Sequence, residues 1–95
     1  MAVYAVTYTY NDDVATRDAR RATHREYLAS LPELLISGPY GADEQAGALL
    51  LFRAASKDDV VALVEADPFH GIVIGAYSVT EWSPVMGPLK DAFAG

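Results

Sequence analysis

Apolar and polar positions along the chain follow two different periods, and these divide it into strands and helices. Val, Tyr and Thr dominate the first ten residues, a composition typical of a strand. From residue 14 to residue 31 there is no Gly or Pro, and apolar side chains recur at helical spacing. The predicted order is a strand over 1–10, a helix over 14–31, strands over 34–37 and 48–54, a helix over 56–66 and a strand over 77–83.

Capping and breaking residues support these boundaries. Asp12 or Asp13 can cap the first helix, and Ser56 opens the second with a capping-box-like sequence. The residue before a proline disfavours helical geometry, so the second helix is expected to end at Asp67. The Gly38-Pro39 step is expected to stop the second strand, with a loop over 40–47. Residues 72–74 are ambiguous, and 84–95 are predicted to be a tail.

The order βαββαβ predicts an α+β domain: four antiparallel strands with two helices on one face. We expect one domain over 1–95, with 84–95 as its C-terminal tail. The helices leave one sheet face bare, and 52% of the residues are hydrophobic, which is high for so short a chain. A homodimer or higher homo-oligomer would cover that excess, whereas a compact monomer with scattered surface apolar groups is the alternative.

Charge and composition exclude several classes of function. A net charge of −6 argues against a nucleic-acid partner, which requires clustered cations. The one cationic cluster, on the first helix, could serve a small anion; it consists of Arg17, Arg20, Arg21 and Arg25. The chain has no cysteine, no apolar run near the ~20 residues of a membrane helix, and no secretory signal pattern. We therefore expect a soluble, cytoplasmic protein without a membrane or nucleic-acid partner. Only two histidines and some carboxylates are available as ligands, so no metal site is expected.

The candidate chemistry lies in His24 and Asp67. A carboxylate beside an imidazole fixes its tautomer, and the other ring nitrogen then acts as a general acid or base. Arg20 and Arg21 lie four and three residues before His24 and would bind a carboxylate or enolate. Each residue also has an ordinary alternative: a structural hydrogen bond for the histidine, a helix-end turn for the aspartate, and solvent exposure for the arginines.

Four segments in this order resemble the YCII-related family: residues 21–28, 35–39, 47–52 and 67–69. The most specific parts are Arg-x-x-His on the first helix and Asp-Pro-Phe after the second. The resemblance implies a ferredoxin-like fold of the dimeric α+β barrel type. It also implies an active site made of His24 and Asp67, with the Gly38-Pro39 turn lining the same pocket.

Two departures from the family limit what carries over. His70 is an imidazole without a family role, and the loop after Gly38 is short, which leaves the substrate open. The resulting hypothesis is a small lyase or isomerase, independent of cofactors, acting on a small cyclic, aromatic or polyketide-like metabolite. Whether the protein is an enzyme stays open at this point. The alternatives are a non-catalytic ligand-binding or accessory protein of a metabolic pathway, and a pure interaction module.

Overall fold

The computed structural model describes residues 1–93, and its elements follow the predicted βαββαβ order. A short 3₁₀ helix at Lys90–Phe93 lies in the predicted tail, whose last two residues fall outside the described part. The bounds are β1 Ala2–Tyr10, α1 Val14–Ala29, β2 Leu34–Pro39, β3 Gly47–Ala54, α2 Lys57–Glu65 and β4 Ile74–Trp82. This is the ferredoxin-like α+β fold that the sequence predicts.

The four strands form one antiparallel sheet in the order β2-β3-β1-β4. In this register Val6 on β1 lies opposite Leu50 on β3 and Val79 on β4. Because side chains alternate between the two faces of a strand, every second residue of β1 points toward the helices. Tyr8 is one of these residues, and this places its phenol in the layer between sheet and helices.

The core fills the space between one sheet face and the helices. Val6, Leu50 and Phe52 of the sheet are almost wholly buried there, and Val60 and Val64 of α2 are completely buried. The last two are four residues apart, so they present one apolar stripe to the sheet. Because α2 is packed against the sheet, the turn at its C-terminal end, which carries Asp67, has a fixed position.

Side-chain caps begin both helices. The backbone N–H of Thr16 donates to the Asp13 carboxylate at 3.1 Å, so Asp13 is the cap of α1. The N–H of Asp59 donates to the Ser56 hydroxyl at 3.1 Å, as the capping-box pattern predicts. α1 ends at Ala29, two residues before the predicted boundary. Caps of this kind fix where each helix starts and therefore which residues face the sheet.

Two strands differ from their predicted bounds. β2 runs through Gly38 and Pro39 instead of stopping there, because it is an edge strand and a proline at its end removes no ladder bond that is needed. β4 begins at Ile74, three residues earlier than expected. Its pairing with β1 shifts register between Thr9 and Tyr10, opposite Gly75, and a glycine at such an irregularity weakens the strand signal.

The second sheet face carries no helix. Leu49, Ile36 and Trp82 lie on it and are 43%, 56% and 42% exposed. β3 is a nearly continuous apolar run, yet Leu49 stays partly exposed because both helices pack on the other face. We call the surface formed by Ile36, Leu49, Leu51 and Trp82 the open face.

No helix within residues 1–93 is both long and apolar enough to cross a membrane.

Candidate active site

Folding brings His24 and Asp67 into contact although 43 residues separate them. His24 lies on the buried side of α1 with Leu28, four residues further on. Asp67 follows the last turn of α2, and its Oδ1 accepts a hydrogen bond from the backbone N–H of Phe69 at 2.9 Å. This local turn holds the carboxylate toward α1, where Oδ1 lies 2.7 Å from Nδ1 of His24. The structural and the functional interpretation of Asp67 are therefore compatible.

The other carboxylate oxygen is held by the sheet. The Tyr8 hydroxyl donates to Oδ2 of Asp67 at 3.0 Å, and both side chains are buried. An ionised carboxylate only accepts hydrogen bonds, and Tyr8 and Phe69 already donate to this one. Nδ1 of His24 is therefore the protonated nitrogen and donates to Asp67, which leaves the lone pair of a neutral ring on Nε2.

Aromatic contacts fix the plane of the imidazole. The His24 ring lies parallel to Phe69, with centroids 3.9 Å apart and 5° between the planes. Tyr10 meets Phe69 edge to face at 5.6 Å. One face of the imidazole and its Nδ1 are thus occupied, so the ring edge that bears Nε2 is the part left for a ligand.

Burial keeps the surrounding phenols neutral. It raises the pKa of Tyr8 far above its ordinary value, and the charge of the Asp67 carboxylate adds to the effect. Burial also raises the pKa of Tyr10 to about 12, again with a contribution from Asp67. The pKa of Tyr27 is raised for the same reasons, and its hydroxyl donates to the backbone carbonyl of Leu63, linking α1 to α2. All three tyrosines are therefore hydrogen-bond donors near neutral pH.

His24 opens on a cavity of about 560 Å³ between α1, the ends of β2 and β3, and the loop over 40–46. Gly38 and Pro39 line it, as the family resemblance implies, together with Tyr40 and Phe69. Gly47 allows this wall to close, since a Cβ there would lie 2.0 Å from the Tyr8 carbonyl oxygen and 2.9 Å from the Tyr40 ring. A volume of this size suits a small ring compound.

The arginines of α1 divide between the cavity and the solvent. Arg21 lines the cavity and pairs with Asp18 at 2.7 Å, whereas Arg20 is exposed and is not among the lining residues. A helix turns by about 100° per residue, so Arg21 and Arg20, three and four residues before His24, project to different sides of that histidine around the helix axis. Arg17 and Arg25 also line the cavity. They belong to the cationic cluster of the first helix that could serve a small anion, although only Arg20 and Arg21 were predicted to bind the substrate. The four-residue spacing of Arg17, Arg21 and Arg25 could have indicated this, because residues four apart lie on the same side of a helix.

The remaining candidate residues lie elsewhere. His70 is outside the cavity lining, and its ring meets Tyr77 edge to face at 5.9 Å. Its Nδ1 is buried and has no hydrogen-bond partner within residues 1–93. Over the same residues, no three His, Asp or Glu side chains come close enough together to hold a metal ion.

The fold and the site define a class: a ferredoxin-like α+β protein with a buried His-Asp-Tyr cluster at the edge of a small cavity. The chain belongs to the YCII-related family, whose domain model matches residues 1–83. The match contains every residue of the cluster and of the cavity wall.

A solved structure extends the comparison. The chain resembles 5-chloro-2-hydroxyhydroquinone dehydrochlorinase from Burkholderia phenoliruptrix AC1100, solved in complex with 2,5-dihydroxybenzoquinone. The two share 27% sequence identity with a TM-score of 0.73, over 84% of this chain and 92% of the other. No curated protein matches the chain.

Proposed function

We propose that the protein is a small lyase or isomerase that acts on a small cyclic or aromatic metabolite with its own side chains as catalysts. The observation that carries the proposal is the 2.7 Å contact between Nδ1 of His24 and Oδ1 of Asp67 beside the cavity. A histidine oriented in this way is a general base through Nε2. Such a group contributes about 10²–10⁴-fold in rate, which is sufficient for proton transfer next to a carbonyl.

The proposed reaction begins with proton transfer to His24. Nε2 accepts a proton from the ring compound, and the electrons of the broken bond move into the ring as an enolate. Asp67 stabilises the resulting imidazolium, and the positive wall that Arg21 shares with Arg17 and Arg25 stabilises the negative charge on the ring oxygen. In an elimination, the electron pair then forms the new double bond while the leaving group departs with its own bonding pair. In an isomerisation, His24 returns the proton to another ring atom.

The comparison with a solved enzyme supports the class of reaction. By its name, the dehydrochlorinase carries out a lyase-type elimination on a small hydroxylated ring, and its bound ligand is also a small ring. At 27% identity, this likeness supports a related chemistry and leaves the substrate of the present protein open.

Turnover by a histidine variant tests the proposal. The assay is chloride release from 5-chloro-2-hydroxyhydroquinone, followed by a panel of related ring compounds. The amide nitrogen of His24→Asn takes over the hydrogen bond to Asp67 without an acid–base group, so this variant keeps a contact between α1 and the Asp67 turn that His24→Ala removes. We expect kcat/KM to fall about 10²–10⁴-fold. His70→Asn is the matched control and keeps wild-type turnover.

Two results would contradict this proposal. Wild-type turnover in the folded His24→Asn variant removes the histidine from the mechanism. Ligand binding without any turnover of the panel by the wild type favours the alternative, a non-catalytic ligand-binding or accessory protein.

We further propose that a second copy of the chain covers the open face. Leu49, Ile36 and Trp82 expose apolar surface there, and a two-fold pairing of sheet faces would bury it. Sedimentation at micromolar concentration is expected to give a species of about twice the 10.2 kDa chain mass. Leu49→Glu would convert it to a monomer. A wild-type species near 10.2 kDa contradicts the proposal.

A further inference from the structure

We propose that the cavity binds its ring compound as an anion, ionised on an oxygen, and that Arg17 and Arg25 select this form. The inference rests on the proposed function only in taking the cavity as the substrate site. It names a substrate class, acidic ring compounds, and two specificity-determining residues.

Three arginines form one wall of the cavity. Arg17, Arg21 and Arg25 follow each other at four-residue intervals on α1, so they lie on one side of the helix over about 12 Å. Glu44 is the one carboxylate residue that lines the cavity among the described residues. The wall is therefore positive, although the protein as a whole carries a net charge of −6.

The partners of the three arginines differ, and this identifies the two that are available for a ligand. Arg21 already pairs with the Asp18 carboxylate at 2.7 Å. The Arg17 guanidinium lies over the Tyr10 ring, 5.2 Å from its centroid, and Nη1 donates to the Asn11 carbonyl at 3.4 Å. Neither contact neutralises its charge. Arg25 forms no ion pair with any residue in 1–93.

His24 does not itself hold an anionic oxygen, so that role falls to the arginines. It lies between Arg17 and Arg25 on the helix, and its Nδ1 is engaged by Asp67, so its remaining nitrogen faces the ligand as an acceptor. A ring whose oxygen is ionised can be oriented by the two guanidinium groups, which donate paired hydrogen bonds to oxyanions. A neutral phenol would gain much less from the same wall.

Binding measurements test the inference without any need for turnover. The probes are 2,5-dihydroxybenzoquinone, whose hydroxyls are acidic because they are conjugated to the quinone carbonyls, and its uncharged dimethyl ether. Titration calorimetry at low and high salt gives the affinities for wild type, Arg17→Gln and Arg25→Gln. Arg20→Gln is the matched control: it makes the same charge change on the same helix, outside the cavity.

We expect the wild type to bind the acidic probe at least about tenfold more tightly than the ether, with the difference reduced by salt. Arg17→Gln and Arg25→Gln each weaken binding of the acidic probe about fivefold to tenfold and leave the ether unaffected. The effect is kept to this range because both side chains reach solvent. Arg20→Gln changes the affinity less than about twofold.

Three outcomes would overturn the inference. These are equal binding of the two probes, no binding of either, and a loss in Arg20→Gln as large as that in Arg25→Gln, which would indicate only a general field effect. Failure of the proposed catalytic role appears separately, because His24→Asn would then keep turnover whatever the two arginine variants do to affinity.

Discussion

Thr7 and Tyr8 are neighbours on β1, and each presents a hydroxyl to a different face of the same sheet. The Tyr8 hydroxyl is buried and donates to the Asp67 carboxylate. The Thr7 hydroxyl forms a hydrogen bond with the Ser78 hydroxyl of the neighbouring strand β4 on the open face, where both groups reach solvent. We call the sheet face against which the helices pack the covered face. A polar group there must have a protein partner, so the His24-Asp67-Tyr8 cluster is held in one geometry. On the open face water replaces any lost partner, and the same kind of group determines little.

The comparison also separates two uses of apolar surface. On the covered face it excludes water from the His24-Asp67 contact, with Phe69 stacked directly on the imidazole. On the open face Leu49 and Trp82 remain partly exposed, and nothing within residues 1–93 covers them fully. The apolar surface of the covered face therefore protects the candidate active site, and that of the open face is where we propose that a second copy of the chain binds.

The largest expected effect comes from removing the centre of the buried cluster. Asp67→Ala leaves the Tyr8 hydroxyl, the His24 ring N–H and the Phe69 N–H without their acceptor. Because each buried donor without a partner costs about 1–3 kcal/mol, we expect the free energy of unfolding to fall by about 3–5 kcal/mol, measured by chemical denaturation. Glu65→Ala, an exposed acid at the end of α2, is the control and should change it by less than about 0.5 kcal/mol. Equal losses in the two variants would mean that the cluster does not stabilise the fold.

A smaller loss is expected when only one bond of the cluster is removed. Tyr8→Phe keeps the buried ring but leaves Oδ2 of Asp67 without its donor. Hydrogen bonds to charged groups contribute about 1.5–3 kcal/mol, so we expect a loss of about 2 kcal/mol at neutral pH in the same denaturation experiment. Unchanged stability in this variant would indicate that a water molecule donates to Oδ2 of Asp67 in place of Tyr8, and therefore that water enters the covered face.

Alkaline pH should weaken the covered face. The pKa of Tyr10 is about 12 in the folded chain against an ordinary value of 10.0, so the unfolded chain loses this proton first. The folded state then binds more protons, and the free energy of unfolding decreases as pH rises from 10 toward 12. The effect is modest because Tyr10 is only partly buried. Denaturation across this pH range should give a shallower decline for Tyr10→Phe, and an identical slope would refute the assignment.

The smallest effect is expected on the open face. Thr7→Val removes a hydroxyl from the residue next to Tyr8 and replaces it with a methyl group of similar shape. We expect stability to change by less than about 0.5 kcal/mol, since solvent hydrates Ser78 once its partner is gone. A loss as large as that of Tyr8→Phe would remove the distinction between the faces.

Much of the fold could be predicted because its signals are local. Helical periodicity, the Ser56 cap and the composition of the first strand specify their elements without knowledge of any partner. The misplaced ends have a different origin. Whether Pro39 continues β2 depends on its lying at a sheet edge, and whether β4 includes Ile74 depends on its register with β1. Neither the edge nor the register can be read from the segment alone.

The candidate site divides in the same way. His24 and Asp67 were predicted from residue type and family resemblance, and Gly38 and Pro39 from the resemblance alone. The Tyr8 hydrogen bond, the stacking of Phe69 and the division of the helix arginines between cavity and solvent were not predicted. These depend on how α1 is rotated against the sheet, and that rotation is set by core packing between residues far apart in the chain.

The sequence by itself determined the order of the elements, the α+β class and the two residues most able to transfer a proton, because periodicity and side-chain chemistry are properties of short segments. Tertiary structure alone decided that Nδ1 of His24 is the nitrogen that meets Asp67, that the Tyr8 hydroxyl donates to the second carboxylate oxygen, and which arginines line the cavity. Hydrogen-bond partners 43 and 59 residues apart in this cluster are selected by the sheet register and by helix packing, and both exist only once the chain has folded.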